Sequence, residues 1–170
     1  FPYFSPPADG SGAPSCGDGF NVGLVWAGRE SHLVEAQRSL DLVELKPLTE
    51  VAGCRFFALH EDDRSEELAA AGMADTVTDL SGQLSDFGDT ARVIAGLDLV
   101  IGVDTAAVHL AGALNVPVWT MLAKIGDWRW MLEREDTPWY PAMRLFRQAE
   151  RGDWSPVIGR IVQELTKRRG

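Results

Sequence analysis

Two polar residues stand at a junction between a predicted strand and a predicted helix. Asp104 and Thr105 follow the apolar run 98–103, and small residues dominate the helix predicted over 106–114. The first N–H groups of a helix lack partners within it, and its dipole makes that end positive. Because ligands of open α/β sheets bind beyond the carboxyl ends of the strands, the junction predicts a site for an anionic ligand, above all the diphosphate of a nucleotide.

The helix after Thr105 is suited to close contact with a ligand. His109 lies four residues after Thr105 and therefore on the same helical face. We expect the Thr105 hydroxyl to cap the helix or to donate to a phosphate oxygen, and His109 to bond to the ligand or steady the loop. In the structural alternative, Asp104 and Thr105 only cap the helix and His109 is satisfied in the core. Short side chains allow close approach at Ala106, Ala107, Ala111 and Ala113.

Basic residues follow the first predicted strand, 22–26. Gly28 permits a tight exit from this strand, and Arg29, His32 and Arg38 add positive charge to the loop. Arginine binds phosphate oxygens through paired donors, and the loop opens on the same sheet edge as Asp104. The alternative is a solvated surface loop. The glycines here form neither a dinucleotide-binding Gly-x-Gly-x-x-Gly motif nor a Walker A loop.

A third segment, 121–130, follows the predicted strand 118–122 and faces the same edge. Its tryptophans, together with Lys124 and Arg129, are suited to wall a pocket, where an aromatic ring would stack on a base and a cation would reach a phosphate. The alternative is an amphipathic cluster packed on the final helix, a role that fits Trp130, Trp139 and Trp154.

The acidic stretch 60–63 ends the second predicted strand. A carboxylate there would accept hydrogen bonds from ribose hydroxyls, and the favoured alternative is an exposed acidic turn. Asp86 falls near the same edge and is expected, with Asp89 and Thr90, at the start of a helix. No Ser-His-Asp order, metal-ligand cluster or catalytic carboxylate pair stands out in the sequence. We therefore expect no metal and no cofactor.

Strand and helix patterns alternate along the chain. The strands are predicted at 22–26, 55–59, 76–78, 98–103, 118–122 and 144–146, and the helices at 42–51, 64–72, 89–97, 106–114 and from a Ser155 cap through 165, with basic residues at 167–169. This order predicts right-handed crossovers and an α/β, Rossmann-like parallel sheet with helices on both faces.

Composition limits the classes of function. The chain has 170 residues, a formal net charge of −9 and two cysteines. This acidity argues against nucleic acid and anionic lipid surfaces as partners. No apolar run approaches the roughly 20 residues of a membrane span, and we expect a cytoplasmic protein. Residues 1–19 are rich in Pro, Gly and Ser and predict a linker or tail, so 20–170 is expected to be one domain. Such an opening suggests a carboxyl-terminal piece of a longer protein.

Together the motifs resemble the carboxyl-terminal half of glycosyltransferase family 9. These are heptosyltransferase-like enzymes of the GT-B fold, and they include bacterial members with tetratricopeptide repeats upstream. The resemblance covers about residues 20–165 and is most specific in the Asp-Thr-x-x-x-His-Leu-Ala segment that begins at Asp104. The matching segments are 22–28, 38–40, 45–48, 86–91, 97–113, 127–130, 138–141 and 144–148, and Pro2-Tyr3 resembles the interdomain linker before this half.

The resemblance implies that the domain binds the nucleotide of a nucleotide-sugar donor. Asp104, Thr105 and His109 match the donor-binding segment, and Arg38 stands where relatives carry a basic residue facing the diphosphate. Helix N–H groups and Arg38 would stabilise the leaving diphosphate electrostatically, without a metal. The acceptor site and catalytic base would come from an amino-terminal GT-B domain, so this half is expected to be inactive alone.

Two residues depart from the family pattern. Ala106 stands where heptosyltransferases usually have glycine, and Arg38 where they usually have lysine. Both changes are compatible with phosphate binding and leave the donor sugar open. Two other classes of function fit the same sequence: a non-catalytic interaction module that kept the fold, and an enzyme like the nucleotide-sugar epimerases that share the two-domain architecture. The base, the sugar and the acceptor are not specified by the motifs.

Overall fold

The computed structural model of the protein describes Pro2, Tyr3, Ser5 and residues 19–28 and 40–169. Strands and helices alternate along this part of the chain. The strands are β1 (Phe20–Val25), β2 (Cys54–Ala58), β3 (Val77–Asp79), β4 (Leu99–Val103), β5 (Val118–Leu122) and β6 (Met143–Arg147). The helices are α1 (Lys46–Thr49), α2 (Ser65–Ala70), α3 (Phe87–Ala95), α4 (Ala106–Ala113) and α5 (Ser155–Arg169), with 3₁₀ turns at Leu42–Leu45, Ser81–Gln83 and Trp128–Trp130.

The strands form one parallel sheet in the order β3-β2-β1-β4-β5-β6. This is the strand order of the doubly wound Rossmann fold, so the predicted fold class is confirmed. The predicted strands lie within two residues of the observed ones, and 118–122 coincides with β5. Apolar residues dominate β4 and β5, in which Thr120 is the one polar residue, and all residues of both strands are buried, as expected for strands covered on both faces.

The two faces of the sheet have separate hydrophobic cores. On one face, Val22 and Leu24 of β1 pack with side chains of α1, α2 and α5. On the other face, Val25 and Val100 pack with side chains of α3 and α4. Alternation of side chains along each strand distributes them between the two cores. The helices that follow β1 and β2 therefore lie on one face of the sheet, and those that follow β3 and β4 lie on the other. Because β1 and β4 are neighbours in the sheet, their carboxyl ends lie side by side.

Helix ends refine the prediction in two places. Of the expected group Asp86, Asp89 and Thr90, it is Asp86 whose side chain caps α3, where it accepts the N–H of Asp89 at 2.8 Å. The predicted cap Ser155 is instead the first residue of α5, and its N–H donates to Asp153 Oδ1 at 3.2 Å. Basic residues do occupy the last turn of α5, where they suit the negative end of the dipole.

Both edges of the sheet are protected. A short segment pairs with edge strand β6, with an antiparallel bridge between Asp136 and Arg144 and a 2.7 Å hydrogen bond from the Leu145 N–H to the Glu135 carbonyl. At the opposite edge, β3 is only three residues long. Short or covered edge strands offer few free backbone groups to another sheet.

The predicted tail, 1–19, is described at only a few positions, and the predicted boundary at residue 20 stays a prediction. β1 begins at Phe20. The Tyr3 N–H donates to the Ala113 carbonyl at 2.8 Å, and the Tyr3 hydroxyl donates to the Trp139 carbonyl at 2.9 Å. Tyr3 therefore lies against the end of α4. Across the described residues, none of the helices has the length and apolar character that crossing a membrane demands.

Candidate functional site

The carboxyl ends of β1 and β4 lie side by side at the centre of the sheet. Val25 of β1 pairs with Gly102 of β4. A Cβ at Gly102 would lie 2.9 Å from the Val25 Cβ and 3.0 Å from Val108 Cγ1, so β4 can approach β1 and α4 only with glycine here. The helices that follow these two strands, α1 and α4, pack on opposite faces of the sheet, and in doubly wound folds this arrangement opens a ligand-binding crevice at the carboxyl ends of the strands. The sequence placed its main candidate residues in these two loops.

Thr105 is the N-cap residue of α4 but does not cap it with its side chain. Its backbone is extended, with φ −139° and ψ 169°, and no cap hydrogen bond is made. Its Oγ1 atom is buried, and in the described part of the chain it has no hydrogen-bond partner. The structural alternative is thus wrong for this hydroxyl. An unpaired polar atom beside the first-turn amides is suited to an oxygen-rich ligand.

His109 lies on α4, and its ring stands between two other side chains of the protein. Its Nε2 lies 3.4 Å from Asp104 Oδ1, and its Nδ1 lies 3.0 Å from the Tyr140 hydroxyl. Because a carboxylate only accepts, a neutral His109 donates at Nε2 and accepts at Nδ1. Burial raises the pKa of Tyr140, so its hydroxyl keeps the proton it donates. Both ring nitrogens therefore have protein partners, but His109 is partly exposed and forms a wall of the site rather than part of the core.

A cavity of about 560 Å³ opens beside His109, lined by Tyr3, His109, Ala113, Trp128, Arg129, Trp139 and Tyr140. Trp128 is 75% exposed, which is unusual for so large a ring. The prediction that the segment after β5 walls a pocket is confirmed for Trp128 and Arg129.

The other residues of that segment have different positions. Trp130 is buried and stacks on His109, with ring centroids 5.0 Å apart. Lys124 extends from the end of β5 to Glu150, with 3.2 Å between Nζ and Oε2. The alternative of a tryptophan cluster on the final helix holds for Trp154, which shares a core with α5, but not for Trp130 or Trp139.

The Gly28 carbonyl is contacted by a partly buried polar network that the sequence did not predict. The Trp26 indole donates to Glu67 at 2.7 Å, Arg64 donates to Glu67 at 2.6 Å, and Arg64 Nη2 lies 3.4 Å from the Gly28 carbonyl. The His60 ring accepts the backbone N–H of Trp26 at 3.4 Å. The one sequence signal for this network was the spacing of Arg64 and Glu67. Side chains three residues apart on a helix lie on the same face, so these two can meet.

The acidic stretch 60–63 is only partly an exposed turn. His60 is buried, Asp62 lies 2.7 Å from Arg64, and Asp63 accepts the N–H of Ser65 at the start of α2. Within the described ranges, no three His, Cys, Asp or Glu side chains are grouped as a metal site would need. Of the remaining candidates, Ala106 is exposed at the first position of α4, whereas Arg29, His32 and Arg38 lie outside the described residues.

Comparison with known proteins identifies relatives. The sequence model of glycosyltransferase family 9 (heptosyltransferase) matches residues 44–132, which is just over half of the chain. Protein FlbA of Caulobacter vibrioides is 32% identical over 153 residues, which are 88% of this chain and 25% of FlbA. This chain thus spans about a quarter of that relative.

Solved structures resemble the fold. ADP-heptose LPS heptosyltransferase II of E. coli superimposes with a TM-score of 0.60 at 14% identity, over 88% of this chain and 46% of the enzyme. E. coli heptosyltransferase WaaC, solved with ADP-2-deoxy-2-fluoro heptose, gives a TM-score of 0.61 at 18% identity, over 89% and 45%. At such identities the similarity concerns the fold alone. The chain spans just under half of each enzyme.

Proposed function

The chain belongs to glycosyltransferase family 9 (heptosyltransferase), and from this premise we propose that it is the donor-binding half of a sugar transferase. Its ligand is a nucleoside-diphosphate sugar, whose diphosphate lies against Thr105 and Ala106 at the start of α4. The observation that carries this proposal is the buried Thr105 hydroxyl, which has no hydrogen-bond partner in the described part of the chain. A phosphate oxygen would accept from the first amides of α4, and from that hydroxyl once the Thr105 side chain rotates out of its buried position.

Glycosyl transfer leaves negative charge on the departing diphosphate. Amides fixed at a helix N-terminus stabilise that charge without reorganising, and α4 aims its own amides into the crevice between β1 and β4. Arg38 is our further candidate for this role, on the strength of the family resemblance. Asp104 and His109 form the side of the crevice toward β5, where the sugar is expected to lie. The acceptor site and catalytic base are expected from an amino-terminal domain, so the half alone should be inactive.

Replacement of one hydroxyl tests the proposed diphosphate site. We expect the folded 170-residue chain to bind one of ADP, UDP and GDP in calorimetric titration, and Thr105→Val to weaken that binding about tenfold, the effect of losing a hydrogen bond to a charged group. The matched control is Thr120→Val, which removes a fully buried, unpartnered hydroxyl within β5. This control should leave the affinity unchanged.

The free energy of unfolding of Thr105→Val separates ligand binding from helix capping. Since the Thr105 side chain makes no cap hydrogen bond, Thr105→Val should change the free energy of unfolding by less than about 0.5 kcal/mol, whereas loss of a true cap costs about 1 kcal/mol. Absence of binding heat with all three nucleotides, in a wild-type chain with a native circular dichroism spectrum, would contradict the proposed function.

Removal of metal ions tests the proposed mechanism of charge stabilisation. If amide and hydroxyl donors hold the diphosphate, the affinity measured in excess EDTA should lie within about twofold of that in millimolar Mg²⁺, because no coordination bond is lost. The measurement is a pair of titrations on the same preparation. A loss of binding in EDTA that Mg²⁺ restores would refute metal independence and leave nucleotide binding standing.

A further inference from the structure

Arg147 holds the turn that follows the aromatic segment. It is the last residue of β6, and its side chain lies on the α4 face of the sheet. Its Nη2 donates to the Trp130 carbonyl at 3.0 Å and to the Met131 carbonyl at 2.7 Å. The two carbonyls stand 16 and 17 residues before Arg147 in the chain. One guanidinium nitrogen thus ties the turn to the edge of the sheet.

The guanidinium of Arg147 has no counter-ion among the described residues. Its Nε and Nη1 atoms are buried without hydrogen-bond partners, and a Cβ at Gly126 would lie 3.0 Å from Nη1. Burial lowers the pKa of Arg147, although arginine stays charged. Arg144, on the opposite face of the same strand, instead pairs with Glu164 at 2.8 Å and Glu135 at 3.2 Å. Burying an unpaired cation is costly, so Arg147 serves a purpose that a surface arginine does not.

The tied turn has a strained backbone and holds an aromatic ring. Met131 ends the 3₁₀ turn with φ 52° and ψ −167°, a region that residues other than glycine seldom adopt. The Trp130 indole nitrogen is buried without a partner in the described chain, so stacking and backbone contacts place its ring. That ring stacks on His109 with an interplanar angle of 24°. His109 in turn contacts Asp104 and Tyr140.

We propose that Arg147 is a positioning residue of the donor site. It fixes the Trp130 and Met131 carbonyls, the turn fixes the Trp130 ring, and the ring fixes His109 beside Asp104. Arg147 touches no substrate in this arrangement and acts through Trp130. This proposal rests on the proposed function, because it predicts that nucleotide affinity at the Thr105 site depends on Arg147, which lies on the other side of the turn. The chain of contacts exists without ligand, so it can be measured apart from binding.

The experiment compares Arg147→Lys with Arg144→Lys, the same change on opposite faces of β6. Lysine keeps the charge but lacks the planar fork that reaches two carbonyls. In NMR spectra of the ligand-free chain, we expect the His109 ring resonances, assigned with His109→Gln, to shift in Arg147→Lys only. Affinity for the nucleotide bound best among ADP, UDP and GDP should fall about tenfold in Arg147→Lys and by less than about twofold in Arg144→Lys.

A second variant covers failure of Arg147→Lys to fold. Trp130→Leu removes the ring from His109 and leaves the arginine and both carbonyls in place, so it should reproduce the loss of affinity. In the double variant the losses should be less than additive, because both act through one ring. Unshifted His109 resonances in Arg147→Lys, or wild-type affinity in either variant, would overturn the proposal. If the wild-type chain binds no nucleotide, the proposed function fails, and the resonances alone decide whether Arg147 places His109.

Discussion

Gly112→Ala is expected to lower the free energy of unfolding by about 1 kcal/mol, although alanine is the better helix former. A Cβ at Gly112 of α4 would lie 2.5 Å from Tyr140 Cγ, 2.8 Å from Cδ1 and 2.9 Å from Cβ. These are atoms near the root of the side chain, so the ring cannot simply rotate away. Overpacking of this kind costs about 1–3 kcal/mol, more than the gain of about 1 kcal/mol that alanine brings to a helix.

Gly159→Ala is the matched control for this prediction. Gly159 lies within α5, is exposed, and has no atom within 4 Å of the added Cβ. At this position the same substitution should stabilise the chain by about 0.5–1 kcal/mol, because the higher helix propensity of alanine is then the only effect. Urea unfolding of the two variants measures both effects. Equal effects of the two substitutions would show that Tyr140 is not packed on α4 as described.

Displacement of Tyr140 has a consequence for the site as well. The Tyr140 hydroxyl lies 3.0 Å from His109 Nδ1, so a ring pushed away from Gly112 releases one side of His109. We therefore expect Gly112→Ala to weaken nucleotide binding in the temperature range where the variant is fully folded. Gly159→Ala, remote from the carboxyl edge of the sheet, should bind like the wild type.

Acidification from pH 6.5 to 4 is expected to reduce the free energy of unfolding by about 3 kcal/mol through His60 alone. Burial, with a further contribution from Arg64, lowers the pKa of His60 from 6.5 to about 4 in the folded chain. Between these values the unfolded chain binds the proton and the folded chain does not, so stability rises with pH across this window. Each pH unit of difference contributes about 1.4 kcal/mol. Above pH 6.5 the contribution is complete.

The hydrogen bond from the backbone N–H of Trp26 to His60 explains the pH effect in structural terms. The neutral imidazole accepts the Trp26 N–H at its Nε2, and a protonated ring has no acceptor left. Arg64, Asp62, Glu67 and Asp79 supply the charges around the ring. Unfolding by urea should be measured from pH 4 to 8 for the wild type and for His60→Gln, in which an amide oxygen replaces the acceptor. Carboxyl groups titrate in both proteins, so parallel pH profiles would contradict the assignment to His60.

The fold was predictable because apolar runs and their spacing decide it. Fully buried strands such as 118–122 have continuous apolar sequences, and turn residues mark where they end. Helix starts were less accurate because several acceptors compete over a few residues. Asp86, Asp89 and Thr90 all have side chains suited to capping, and only the extended backbone at Asp86 selected it. The alternation of strands and helices predicted a parallel sheet with right-handed crossovers, whereas the strand order β3-β2-β1-β4-β5-β6 was seen only in the structure.

The sequence suggested the residues at the centre of the candidate site but not the residues that support them. The Asp104-Thr105 junction was visible because a strand, a polar pair and a small-residue helix are consecutive. Tyr140 lies 31 residues after His109 in the chain and contacts it directly. Arg147 is linked to His109 only through Trp130. Trp130 shows the limit most clearly: its residue type favoured the core, and the sequence could not tell which face of the sheet it would cover.

The covered edge of β6 and the three-residue β3 bear on how this protein can be handled. Strand-to-strand stacking between molecules requires a free run of backbone donors and acceptors, and neither margin of this sheet supplies one. Concentrated solutions should therefore resist amyloid-type aggregation. Any self-association would instead depend on exposed side chains such as Trp128, Ile125 and Leu132, and substitution of these with polar residues would suppress it without disturbing the sheet.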